Sequence, residues 1–171
     1  MRYLFLAAGA VFALTGLAQA GKVEVKNVHL CCPQCAKAVA AALGKVDGVA
    51  DAKCDQKGRT VSFTTKDEKS TQAAIKALVD AGFYGIASDD SKAVKVETPA
   101  AKAEKADEVT VAGVHVCCKQ CQGIIAPLFK DAKITYEGTG AQKDVKIAGK
   151  GLDKAAVLKT LQDAGFTGIV K

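Results

Sequence analysis

The chain of 171 residues has no tryptophan, three tyrosines and six phenylalanines, so aromatic rings are few. A nucleic-acid surface asks for a basic patch interleaved with stacking rings. The formal charge of +6 rests instead on lysines dispersed along the chain, and nucleic acid is not an expected partner. No grouping of side chains suits hydrolysis, phosphoryl transfer or a nucleotide, and a non-enzymatic role is expected. Long apolar runs are scarce too. The one at residues 3–17 falls short of the roughly 20 residues of a membrane span.

That run follows Arg2 and is followed by Ala18-Gln19-Ala20. A positive start, an apolar middle and a small-x-small end form a secretory signal peptide, residues 1–20, with cleavage expected after Ala20. The mature chain would begin at Gly21 and be periplasmic or secreted. No cysteine follows the cleavage point, which argues against a lipid anchor. No stable membrane association is expected after the signal is removed.

Both histidines and six of the seven cysteines lie in two heptapeptides: His-Leu-Cys-Cys-Pro-Gln-Cys at 29–35 and His-Val-Cys-Cys-Lys-Gln-Cys at 115–121. Soft sulfur and borderline nitrogen donors gathered in this way suit a thiophilic metal ion. The spacing Cys32-x-x-Cys35 sets two thiols around a strand-to-helix turn, where both can face one ion. Cys118 and Cys121 repeat it.

The duplication extends beyond the heptapeptides. Val23-Glu24-Val25 matches Val109-Thr110-Val111, Asp51-Ala52-Lys53 matches Asp131-Ala132-Lys133, and Asp80-Ala81-Gly82-Phe83 matches Asp163-Ala164-Gly165-Phe166. A repeat in one order across a whole unit predicts two related domains, 21–88 and 108–171. Residues 89–107 between them are rich in Ala, Lys, Glu and Asp and read as a flexible, solvated linker with a weak helix around 100–106. The two units are expected to move independently.

Each unit reads strand, helix, strand, strand, helix, strand. Alternation predicts a strand over 22–28. Ala36, Val39, Ala40 and Leu43 form one helical face that stops at Gly44. Strands are expected at 49–54 and 60–65, with Cys54, Ala50 and Ala52 facing inward as a buried apolar set. Ser70 is the expected cap of a second helix that buries Ala74, Ile75 and Leu78 and ends at Gly82, before a last strand at 84–87. In the second unit Asp153 caps a helix burying Val157, Leu158 and Leu161. Pro127 should truncate or kink the helix before it.

With these residues in place, both units resemble the heavy-metal-associated domain, the small ferredoxin-like fold found in copper chaperones, metal-pumping ATPase tails and the periplasmic mercury-binding protein. The resemblance implies an α+β fold of two tandem ferredoxin-like βαββαβ domains. It also implies that Cys32, Cys35, Cys118 and Cys121 are the metal-binding cysteines. His29 and His115 stand where the family loop has glycine, Leu30 and Val116 replace its methionine, and Cys31 and Cys117 precede the first ligand. Cys31, His29, Cys117 and His115 are thus candidate additional donors, raising coordination toward three or four. Zinc accepts such a tetrahedral set.

Each residue also has a plainer role open to it. The Cys-x-x-Cys pairs could be disulfides in an oxidising compartment. Cys31 and Cys117 could be spare or transfer thiols, and the histidines surface groups or supports behind the ligands. Phe83 and Phe166, on the loop that in this family lies beside the metal, are core residues with scope to shield the ion.

The expected function is extracytoplasmic binding and transfer or sequestration of a soft heavy-metal cation. Copper(I) is favoured over zinc or mercury(II), with about one ion per domain and a metal donor or acceptor protein, such as a transporter, as partner. The alternative is a thiol–disulfide redox protein using the same motifs. The absence of a tryptophan before the motif and of a proline facing it speaks against a thioredoxin-like unit.

Overall fold

The computed structural model describes residues 21–90 and 92–171; the expected signal peptide lies outside them. The chain is α+β, with helices packed on two antiparallel sheets. The N-terminal half runs β1 (Gly21–Lys26), α1 (Pro33–Leu43), β2 (Val49–Asp55), β3 (Thr60–Thr65), α2 (Glu68–Asp80), β4 (Ile86–Asp89) and β5 (Lys92–Val94). The C-terminal half runs β6 (Lys105–His115), α3 (Lys119–Ile125), a 3-10 turn (Ala126–Phe129), β7 (Lys133–Glu137), β8 (Gln142–Asp153), α4 (Lys154–Asp163) and β9 (Ile169–Val170). The strand orders β2-β3-β1-β4-β5 and β7-β8-β6-β9 place the first strand of each half between its third and fourth. Each half thereby presents the loop after its first strand, where the cysteines lie, at one end of its sheet.

Local chemistry explains most element ends. Asn27 takes a left-handed backbone, φ 63°, and closes β1 before Val28. In α1 the buried stripe is Cys35, Val39 and Leu43, one turn apart, while Ala40 lies outside it, exposed; Gly44 caps the end. The expected cap of α2 is corrected. Asp67 is the N-cap and Ser70 sits three residues on, each side chain bonded to the other's backbone N–H, because the first free amides of the helix belong to Glu68–Ser70. Asp153 caps α4 as expected and accepts from the Ala156 amide at 2.8 Å. α3 ends at Ile125, and Pro127 sits inside the 3-10 turn.

The inward face of β2 is also corrected. Val49 and Cys54 pack on the core, while Ala50 and Ala52 are exposed. A register shift between Ala50 and Lys53, with Asp51 at φ 53°, inserts an extra residue and reverses the alternation.

The segment between the halves is not a loose tether. Its start forms β5, which pairs with β4, and its end forms the first residues of strand β6, with Lys105 opposite Asp153. No helix forms over 100–106. Thr98 accepts from Gln162 at 3.1 Å, and Glu104 pairs with Lys154 at 3.0 Å. Isolated valines here add apolar contact, and backbone pairing to an open sheet edge needs no apolar composition.

Nor are the halves independent. Their buried side chains form one contiguous core, from Val23 through Phe166. The Phe83 and Phe166 backbones bridge, Thr167 N–H donates to the Gly82 carbonyl at 3.1 Å, and Tyr84 N–H to the Gly165 carbonyl at 3.1 Å. This pairing starts where the last strand of the first half was expected, so β4 begins only at Ile86.

Candidate metal centre

The duplicated Asp-Ala-Gly-Phe corners carry the halves to one another, and the contacts come in reciprocal pairs. The His29 ring stacks on Phe166 with centroids 4.1 Å apart; the His115 ring stacks on Phe83 at 4.3 Å. A Cβ on Gly82 would stand 2.4 Å from the His115 amide nitrogen, and one on Gly165 would stand 2.5 Å from that of His29. Both glycines also hold positive φ, 84° and 92°, which side-chain-bearing residues avoid. Two further residues stitch the seam. The Arg59 guanidinium donates to the Asn27 and Ala164 carbonyls at 3.1 and 2.9 Å, and the Gln142 amide to those of Asp80 and Gly113 at 2.8 and 3.3 Å.

This seam sets the two cysteine loops face to face. Cys32 and Cys118 are the N-caps of α1 and α3, both extended, so the helical turn that follows brings Cys35 and Cys121 back beside them. Within the pairs, Sγ separations are 3.8 Å for Cys32–Cys35 and 3.7 Å for Cys118–Cys121. Cys31 and Cys117 turn inward rather than away. Cys31 Sγ lies 3.8 Å from Cys35, 3.8 Å from Cys118 and 3.6 Å from Cys121. Cys117 Sγ lies 3.6 Å from Cys32, 3.8 Å from Cys35 and 3.8 Å from Cys121. Six sulfurs from both halves thus form one cluster, where the heptapeptides alone suggested two separate sites. All are free thiols.

Burial grades the cluster. Cys35 and Cys121 are buried at its base, and Cys31, Cys32, Cys117 and Cys118 are half-buried around them. Cys117 opens on a cleft of about 460 Å³ lined also by Gln34, Lys37, Ala38, Gly140 and Ala141. Hydrogen bonding from the Cys35 thiol, aided by the Cys118 and Cys117 backbone amides, lowers the Cys121 pKa to about 6. That favours a thiolate, the metal-binding form. Burial drives the Cys31 and Cys117 thiols the other way, since crowded sulfurs without a cation resist sharing negative charge.

The two histidines differ. His29 falls within ligand distance of Cys31, Cys35 and Cys121, whereas His115 belongs to none of the metal-competent groups among the described residues. Both are buried, and each Nε2 lacks a hydrogen-bond partner. Burial lowers the His29 pKa to about 4, so the ring is neutral and able to donate a lone pair. Cys54 stands apart from the cluster, its thiol pushed up by burial. Phe83 and Phe166 are buried against the histidines of the opposite halves. Sequence reasoning missed Arg59 and Gln142, single residues outside the repeat with nothing to mark them.

Among the described residues no helix is long and apolar enough to cross a membrane. A comparison with curated proteins found no match. Among solved structures, the first two RRM domains of yeast poly(U) binding protein align at 13% identity over 88% of this chain and 97% of that one, and a TM-score of 0.24 gives the likeness no weight. Residues 23–84, which hold the first heptapeptide and the Gly82-Phe83 corner, match one copy of the heavy-metal-associated domain, an α+β fold of the ferredoxin-like kind.

Proposed function

We propose that the chain binds a soft heavy-metal cation outside the cytoplasm and hands it on or sequesters it, with copper(I) the preferred ion ahead of zinc and mercury(II). The observation that carries this reading is the convergence of six Sγ atoms, eight pairs of them separated by 3.6–3.8 Å. Uncompensated thiolates repel at such distances, and a bound cation removes the penalty. Both halves are read as heavy-metal-associated domains, 21–88 and 108–171. The common strand order and the shared heptapeptide support the second as well as the first.

Transfer would proceed by ligand exchange with a donor or acceptor protein such as a metal transporter. An incoming thiolate bonds to the ion before a resident one leaves, and the four half-buried cysteines are the ones it can reach.

The test is metal identity and capacity on the reduced chain, purified without oxygen and offered copper(I), zinc and mercury(II) in competition. Tight binding of one of them, lost in the combined Cys32→Ser, Cys35→Ser, Cys118→Ser and Cys121→Ser variant, is the expected outcome. Failure to bind any, with thiols that cycle readily against a dithiol, would replace this reading by thiol–disulfide exchange.

A further inference from the structure

We infer that the six thiols build one hexathiolate cage for four copper(I) ions, an assignment that rests on the metal-binding reading and deepens it. Four sets of three sulfurs lie within 4.8 Å of one another: Cys31/Cys35/Cys121, Cys31/Cys32/Cys118, Cys32/Cys35/Cys117 and Cys117/Cys118/Cys121. Each cysteine belongs to two of the triads, and any two triads have one cysteine in common. That is the connectivity of a cage in which every ion takes three sulfurs and every sulfur bridges two ions. Three of the four triads combine thiols of both halves, so the cage exists only because the seam brings the loops together.

One triad has the dimensions of a three-sulfur site on all three edges. In the Cys32/Cys35/Cys117 triad the separations are 3.8, 3.6 and 3.8 Å. The centre of such a triangle is about 2.2 Å from each sulfur, against about 2.3 Å for a metal–thiolate bond. Zinc prefers four donors. Three triads offer three only; Cys31/Cys35/Cys121 alone has a fourth, His29. Three-sulfur sites suit copper(I), a soft monovalent ion selected by thiolates. On loading, every sulfur still protonated gives its proton to solvent, and each ion exchanges the ligands it arrived with for three copper–sulfur bonds with no change of oxidation state. Six thiolates and four monovalent ions leave a core charge of two negative.

The cage also gives Cys31 and Cys117 their purpose. Every triad contains one or the other. Without both, only the Cys-x-x-Cys pairs remain, each good for one ion between two sulfurs.

The test is an oxygen-free copper(I) titration of the reduced chain, read by native mass spectrometry and copper X-ray absorption. The expected result is a final load of four ions, three sulfurs per copper and a copper–copper scattering path, with the metal-free and four-copper species dominating at partial loading. Cys31→Ser/Cys117→Ser should hold at most two ions, without copper–copper scattering, while Cys54→Ala still holds four. A wild-type chain that saturates at two ions, or a Cys31→Ser/Cys117→Ser chain that still holds four, overturns the cage and leaves metal binding standing. A chain that takes up no copper(I), zinc or mercury(II) overturns both.

Discussion

His29 is 3% exposed, and burial holds its pKa near 4 against an ordinary 6.5. Between those values the unfolded chain binds a proton that the folded, metal-free chain refuses. Stability is therefore full above pH 6.5 and falls as acid is added toward pH 4, by about 3 kcal/mol over the window. His29→Phe keeps a ring against Phe166 and cannot titrate. Urea midpoints of the metal-free proteins between pH 7 and 4.5 should fall less in the variant, and equal losses would show that His29 is not the responsible group. At this scale the donors were legible from residue type and spacing. Two things were not. Simple alternation puts Ala50 and Ala52 on the face of Cys54, but one extra residue at Asp51 reverses the strand's facing. Cys31's inward turn is not set by its own half alone, since two of its three nearest thiols, Cys118 and Cys121, belong to the other.

Elements meet across the seam by backbone approach, and the corner glycines set how near they come. Gly82→Ala would place a methyl 2.4 Å from the His115 nitrogen and 2.6 Å from the Gly113 carbonyl oxygen, on a backbone at φ 84°. Neither obstacle is a side chain that could swing away. A loss of about 1–3 kcal/mol is expected for Gly82→Ala or Gly165→Ala, with the metal capacity falling as the loops part. Thermal unfolding and copper stoichiometry check both, and Gly123→Ala, where a Cβ meets nothing within 4 Å, is the control. Unchanged capacity in the corner variants would separate the seam from the site. Strand order and the α4 cap follow from alternation and capping chemistry. The pairing of the corners does not, because backbone hydrogen bonds and absent side chains leave no pattern of apolar residues to read. For the same reason β5 was hidden in a segment whose composition suits a tether.

At the scale of the whole molecule, the halves share a core, a seam and the sulfur cluster. A protease site inserted between Ala100 and Ala103, in irregular chain after β5, should therefore yield two fragments that still elute together when copper-loaded. Loading should also raise the unfolding midpoint by several degrees, since an ion bound only by the folded form stabilises it by about 2.7 kcal/mol at a hundred times its dissociation constant. Fragments that separate while loaded would mean that the segment from Lys95 to Glu104, and not the seam, holds the halves together. The duplication was legible in the sequence; what it was for was not, because two copies that ignore one another and two that close on one another have the same repeat.

The connection from β5 to β6 has one more consequence, in dilution. A cluster assembled from two separate polypeptides weakens as the protein becomes scarce, because its halves must first find each other. Here the second set of donors travels with the first, joined to it by ten residues of chain and held beside it by the seam. Metal uptake should thus be first order in protein, and as complete in a compartment holding a few molecules as in one holding thousands.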